Sequence, residues 1–106
     1  MLSIDKAEYI DNYKIRLFFN NGKEGIANLG NTIFDDRRPI FSILKEKSHF
    51  RSFKLDHGTI IWPNGLDLPP EYLFYLVFKD DDNYRKQFKQ WRYGEKCRKS
   101  IKQKKK

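Results

Sequence analysis

The clearest periodicity along the chain is an alternation of two. Tyr13, Ile15, Leu17 and Phe19 alternate with Lys14, Arg16 and Phe18, the period of a strand with one buried face. Asn20-Asn21-Gly22 follows, a hairpin signal because Asn and Gly accept positive φ cheaply. The return strand is predicted from about Lys23 to Leu29, with Ile26 in it. Upstream, Leu2, Ile4, Ala7, Tyr9 and Ile10 keep an imperfect alternation up to a turn signal at Asp11-Asn12. That pattern predicts an edge strand with a bulge. Residues 2–29 thus read as a three-stranded antiparallel meander.

The pattern then changes. Gly30 to Arg38 is a polar connector, in which Asp35 or Asp36 is placed to help start the next helix. Pro39 suits a first helical turn, where its missing N–H costs nothing. Ile40, Phe41, Ile43 and Leu44 give that helix an apolar face, and Lys45 to Ser48 leave it. Phe50, Phe53 and Leu55 predict a strand, Asp56-His57-Gly58 a turn, and Thr59 to Trp62 the returning strand of a second hairpin. Pro63-Asn64-Gly65 breaks that strand. Pro69-Pro70 opens a helix carrying Tyr72, Leu73, Leu76 and Val77 at helical spacing. The expected fold is α+β: a small antiparallel sheet (the meander plus the second hairpin) and two short helices over residues 1–78.

Charge sharpens that boundary. Residues 1–78 hold ten Lys/Arg and ten Asp/Glu, whereas residues 79–106 hold twelve against four, so the last segment carries the whole net charge of +8. Such asymmetry predicts a tail that meets an anionic partner. The aromatic fraction of 16% argues that the body is folded, since disordered chains have few aromatics. In the extension, Tyr84, Phe88 and Trp91 recur at i, i+4, i+7, and Arg85, Lys89, Arg92 and Lys96 at i, i+4, i+7, i+11. These form adjacent aromatic and basic stripes if the segment is helical from 82 to about 93. Gly94 is the expected stop, with disorder beyond it. The acidic run Asp80-Asp81-Asp82 precedes the stripes, where the helix macrodipole favours negative charge.

The most distinctive stretch runs from Gly58 to Leu73. Its Trp62-Pro63-Asn64-Gly65-Leu66-Asp67-Leu68, followed by Pro70, resembles the bacterial family catalogued as domain of unknown function 2442. In that family a strand ends in Trp-Pro-Asn-Gly, then a hydrophobic residue, Asp, Leu and a Pro-initiated helix. The resemblance covers roughly residues 5–76. It implies a small α+β fold and no established activity. Some members are encoded beside toxin genes, which makes an antitoxin-like role a family-level expectation. Physically, Pro63, Asn64 and Gly65 have turn chemistry, and Asp67 is able to accept backbone N–H bonds entering the helix. Trp62 is suited to plug the gap between sheet and helix. The structural alternative is an architectural corner; the functional one is a small polar pocket lined by Trp62, Asn64 and Asp67.

Other chemistry is sparse. His49 and His57 have no second ligand at metal spacing, and the six glycines are scattered rather than gathered in a phosphate loop. Asp35-Asp36 stands beside Arg37-Arg38, where ion pairing is the simplest account. One short acidic run makes a weak cation site. The lone Cys97 forms neither an internal disulfide nor a zinc site by itself. A non-enzymatic protein with no cofactor and no metal is expected. No apolar run of signal-peptide length opens the chain, and Tyr72 to Phe78 is too short to span a bilayer, so a cytoplasmic location is expected.

Nucleic acid is the leading expected partner, because clustered Lys/Arg neutralise phosphates and release counterions. The residues expected to touch it are Arg85, Lys86, Lys89, Arg92, Lys96, Arg98 and Lys99. Tyr84, Trp91 and Tyr93 are available to stack on unpaired bases; alternatively Tyr84, Phe88 and Trp91 dock back on the body. The alternative partner is an acidic protein that receives the tail as an antitoxin or adaptor would; a membrane-surface helix is a weaker third reading. Exposed edge strands also leave a homodimer open.

Overall fold

The meander forms where the alternation places it. In the computed structural model, which describes residues 1–91, β1 is Ile4–Asp11, β2 is Lys14–Phe19 and β3 is Glu24–Asn28, antiparallel in the order β1-β2-β3. The inward residues of β2, Ile15, Leu17 and Phe19, are buried. The register of β1 shifts between Ile4 and Lys6 and again between Tyr9 and Asp11, so the imperfect alternation reflects real irregularities. β1 is turned into β2 by Asn12, at φ 46°, a left-handed conformation that Asn tolerates.

The polar connector departs from expectation. Gly30–Asp35 is a helix, α1, because Leu29 and Ile33, one turn apart, are both sealed in the core. Neither Asp35 nor Asp36 caps the next helix, α2 (Pro39–Ser42). Its N-cap is Arg38, without a side-chain cap. Instead the Asp36 carboxylate accepts the Arg38 backbone N–H at 3.0 Å and its guanidinium at 2.6 and 2.9 Å. That hydrogen bonding holds Arg38 above its ordinary pKa against the opposing effect of partial burial. Residues Ile43–Lys45 form a 3-10 turn, and Lys47–Phe50 a further short helix, α3. Phe50 therefore belongs to a helix and not to the predicted strand. Full burial of its ring decides the local conformation.

The second hairpin is real but larger than a hairpin. β4 (Lys54–Asp56) pairs with β5 (Thr59–Ile61), and β5 pairs with a third short strand, β6 (Asp67–Leu68). The turn after Trp62 thus brings the chain back to its own strand before α4 (Pro70–Phe78) begins at Pro70. The Ile4 N–H donates to the Gly58 carbonyl at 3.0 Å and links the two sheets. α4 lies over the inner face of β3, so close that a Cβ on Gly25 would stand 2.3 Å from Val77 Cγ1. After α4, Asp82–Tyr84 is a 3-10 turn and the last described helix, α5, is Arg85–Trp91. The helix predicted from residue 82 therefore starts three residues later, because the Asp81 carboxylate accepts the Asn83 N–H at 2.9 Å and tightens the first turn. Its predicted continuation to 93 lies outside the described residues. The fold is α+β, with two small antiparallel sheets and several short helices rather than two. Among the described residues no helix is long and apolar enough to cross a membrane.

Candidate functional site

Two regions carry the residues singled out in the sequence: the corner at 62–70 and the start of the basic extension. At the corner, Trp62 is 3% exposed. Its indole N–H donates to the Phe50 carbonyl at 2.9 Å, and its ring lies 5.9 and 6.2 Å from those of Phe50 and Phe53. The Trp62 backbone N–H donates to Leu66 O, and Gly65 N–H to Trp62 O. Gly65, at φ +94°, holds the left-handed conformation that this tight closure requires. Asn64 joins the turn to a distant element: its amide N–H donates to Ile40 O at 2.9 Å, while its Oδ1 accepts the Leu66 N–H. Pro63 is exposed, and Pro70 is buried in the first turn of α4.

A cleft of about 270 Å³ opens beside this corner, walled in part by Ile43, His49, Trp62 and Asn64. Asp67 is exposed and is not among its walls. The polar groups of Trp62 and Asn64 are already committed to backbone carbonyls and amides. Of the three residues expected to line a polar pocket, Trp62 and Asn64 wall this cleft and Asp67 does not. Asp67 makes no helix-entry bond here; β6 fills that place, and Asn64 supplies the turn's side-chain hydrogen bonding.

In the extension, the aromatic stripe turns inward. Phe74 of α4 is the hub, 1% exposed. Its ring lies 5.1 Å from Tyr84 at 87°, 6.2 Å from Phe88 and 6.2 Å from Trp91. Tyr75 meets Phe88 edge-on at 5.1 Å, and Phe88 itself is a buried member of the core. Edge-to-face packing at these separations is the favoured geometry of aromatic pairs. The stripe thus has its partners within the chain. Sequence reading missed Phe74 as the platform. The signal was present in Phe74 and Phe78, one turn apart and followed by Tyr84 and Phe88.

The cations face away. Arg85, Lys86 and Lys89 are exposed, and Lys89 lies four residues after Arg85 and three after Lys86, spacings that are neighbours on a helix surface. Arg85 meets Asp82 at 2.7 Å, an exposed pair of small energetic weight. Arg92, Tyr93, Lys96, Arg98 and Lys99 lie outside the described residues, as does Cys97. Among the described residues, no group of three His, Cys, Asp or Glu is arranged to hold a metal ion. His57 sits in its turn at φ 52° with a solvated side chain.

The sequence model of one protein family, described as protein of unknown function (DUF2442), matches residues 4–79. The chain belongs to the DUF2442 family. No curated protein and no solved structure gives a comparable match. The DUF2442 match ends at residue 79, where the charge surplus begins. The packing does not end there, since Phe88 completes the core of the family domain.

Proposed function

We propose that this DUF2442 protein is a non-catalytic accessory or regulatory protein that binds nucleic acid through phosphates along its basic C-terminal segment, and that it does so in the cytoplasm. The observation that carries this reading is the docking of Tyr84, Phe88 and Trp91 on Phe74. With the apolar side of α5 held against the body, Arg85, Lys86 and Lys89 stay exposed at the root of a segment that goes on to Arg92, Lys96, Arg98 and Lys99. The same docking weighs against base stacking by Tyr84 and Trp91, and favours sequence-independent phosphate contact. It also weighs against the tail laying an apolar helix face into a partner's groove, because that face is occupied.

The test keeps the whole chain, because truncation at residue 78 would uncover Phe74. Binding of labelled duplex DNA and single-stranded RNA is measured by anisotropy at two salt concentrations, for the natural chain and for Arg85→Gln/Lys86→Gln/Lys89→Gln. The expected result is binding at low salt that weakens steeply with salt and weakens further in the variant. Absence of binding at low salt, or a variant indistinguishable from the natural chain, overturns the proposal. Stoichiometric capture of an acidic protein together with no nucleic-acid binding would assign the segment to that partner.

A further inference from the structure

The edge of β3 is the one regular, open strand edge among the described residues. Hydrogen bonds from Phe19 N–H to Lys23 O and from Leu29 N–H to Tyr13 O fix the phase of the β2–β3 ladder. Antiparallel pairs alternate between bonded and non-bonded positions, so Gly25 and Ala27, opposite Leu17 and Ile15, turn their backbone groups toward β2. Glu24, Ile26 and Asn28 turn theirs outward. The other edges are blunted. β1 is irregular at two places, and its Ile4 N–H is taken by Gly58. β4 has three residues with charged Lys54 and Asp56, and β6 has two. Short, bulged or charged edges resist strand addition. β3 has five residues in unbroken register with β2 and no proline.

We propose that β3 is the seam of a homodimer, in which two copies join antiparallel about Ile26 into one six-stranded sheet. The register is self-complementary. Ile26, 43% exposed on the outer face, meets its own copy across the two-fold axis. Both Ile26 backbone groups are then paired, and two half-exposed apolar side chains cover each other. Glu24 faces Asn28 of the second copy, and behind that Asn28 stands Lys14 of the second copy, since Lys14 and Asn28 are opposite in the β2–β3 register. Neighbouring strands are about 4.8 Å apart, so a long lysine side chain crossing the short Asn28 reaches the Glu24 carboxylate. The Glu24–Lys14 pair thus forms once on each side of the axis, beside the Arg16 that each Glu24 meets within its own chain at 3.4 Å. On the inner face the seam positions are the small residues Gly25 and Ala27, over which each copy carries its own α4, with Val77 against Gly25. The body that meets itself is electrically neutral, with ten bases and ten acids over residues 1–78.

Sedimentation equilibrium of the full chain from about 10 to about 200 µM tests the seam. The natural chain should form dimers in that range. Ile26→Lys places like charges opposite each other without touching the core, and should raise the dissociation constant by roughly tenfold or more. Ile26→Glu alone should do the same. A mixture of the Lys and Glu variants should recover a heterodimer, which happens only where position 26 meets position 26. Circular dichroism verifies that each variant is folded. A natural chain monomeric at the top concentration overturns the proposal. So does a dimer that Ile26→Lys leaves intact, or a mixture that fails to re-associate.

Discussion

Trp62 is tethered to Phe50 twice, by an indole N–H to carbonyl hydrogen bond of 2.9 Å and by ring contact at 5.9 Å. The two residues come from different parts of the chain: Trp62 directly follows β5, and Phe50 ends α3. Trp62→Phe keeps most of the ring and removes the donor, leaving the Phe50 carbonyl without its partner. The expected loss of stability is about 1–3 kcal/mol, read as a lower urea midpoint by circular dichroism. Trp62→Ala should cost about 3–5 kcal/mol. An unchanged midpoint in the Phe variant would mean that water replaces the bond.

The contact of β3 with α4 leaves no space for a side chain. Gly25→Ala puts a methyl group 2.3 Å from Val77 Cγ1 and should destabilise by about 1–3 kcal/mol through overpacking. Trimming the neighbour tests the cause. Gly25→Ala/Val77→Ala should be more stable than the sum of the two single changes predicts, because residues in contact are not additive. Strict additivity would relocate the strain to the strand's backbone.

Phe88 is a core residue outside the family match, 4% exposed. Phe88→Ala should cost about 3–5 kcal/mol and release α5, since a helix as short as Arg85–Trp91 is marginal without packing. Trp91 reports the release as a red-shifted emission, best seen in a Trp62→Phe background. Unchanged emission and stability would mean that the extension packs independently of the body.

The basic face makes a quantitative prediction about salt. Each phosphate neutralised on duplex DNA contributes about −0.9 to the slope of log affinity against log salt. Removing the charges of Arg85, Lys86 and Lys89 should therefore flatten that slope by about two to three units on duplex DNA. Titrations at four or five salt concentrations measure it. An equal slope with lower affinity would place these residues away from the phosphates.

The sequence carried the meander, the turn chemistry and the family motif because each rests on local rules. The alternation through Tyr13 to Phe19, the Asn-Gly turn and the Pro-opened α4 are legible within a few residues. What was not legible depended on distant partners. Phe50 is helical because its ring is claimed by Trp62, Tyr9 and Tyr13, not because of its neighbours. α1 forms inside a polar connector because Leu29 and Ile33 have a core to enter. β6 exists only because the corner returns Asp67 and Leu68 to Ile61 and Ile60. In the candidate site, the two stripes were visible as spacings, but which stripe faced the body depended on Phe74. The hydrogen bonding of the corner was not legible for the same kind of reason: the acceptors for Trp62 and Asn64 lie in Phe50 and Ile40, 12 and 24 residues away.

The hydrogen bond from Ile4 to Gly58 has a kinetic side. Each hairpin is local and quick to close, but this bond is not satisfied until the chain as far as the β4–β5 turn has been made and brought back to β1. The entropy of closing so long a loop grows only logarithmically, about 0.6 kcal/mol per doubling, so the link is thermodynamically cheap yet formed late. During synthesis the first sheet can pair β1 with β2, but its Ile4 N–H must wait for the second sheet. Once the second sheet arrives, this bond joins the two, and the Ile4 amide proton should exchange at the rate at which that link opens.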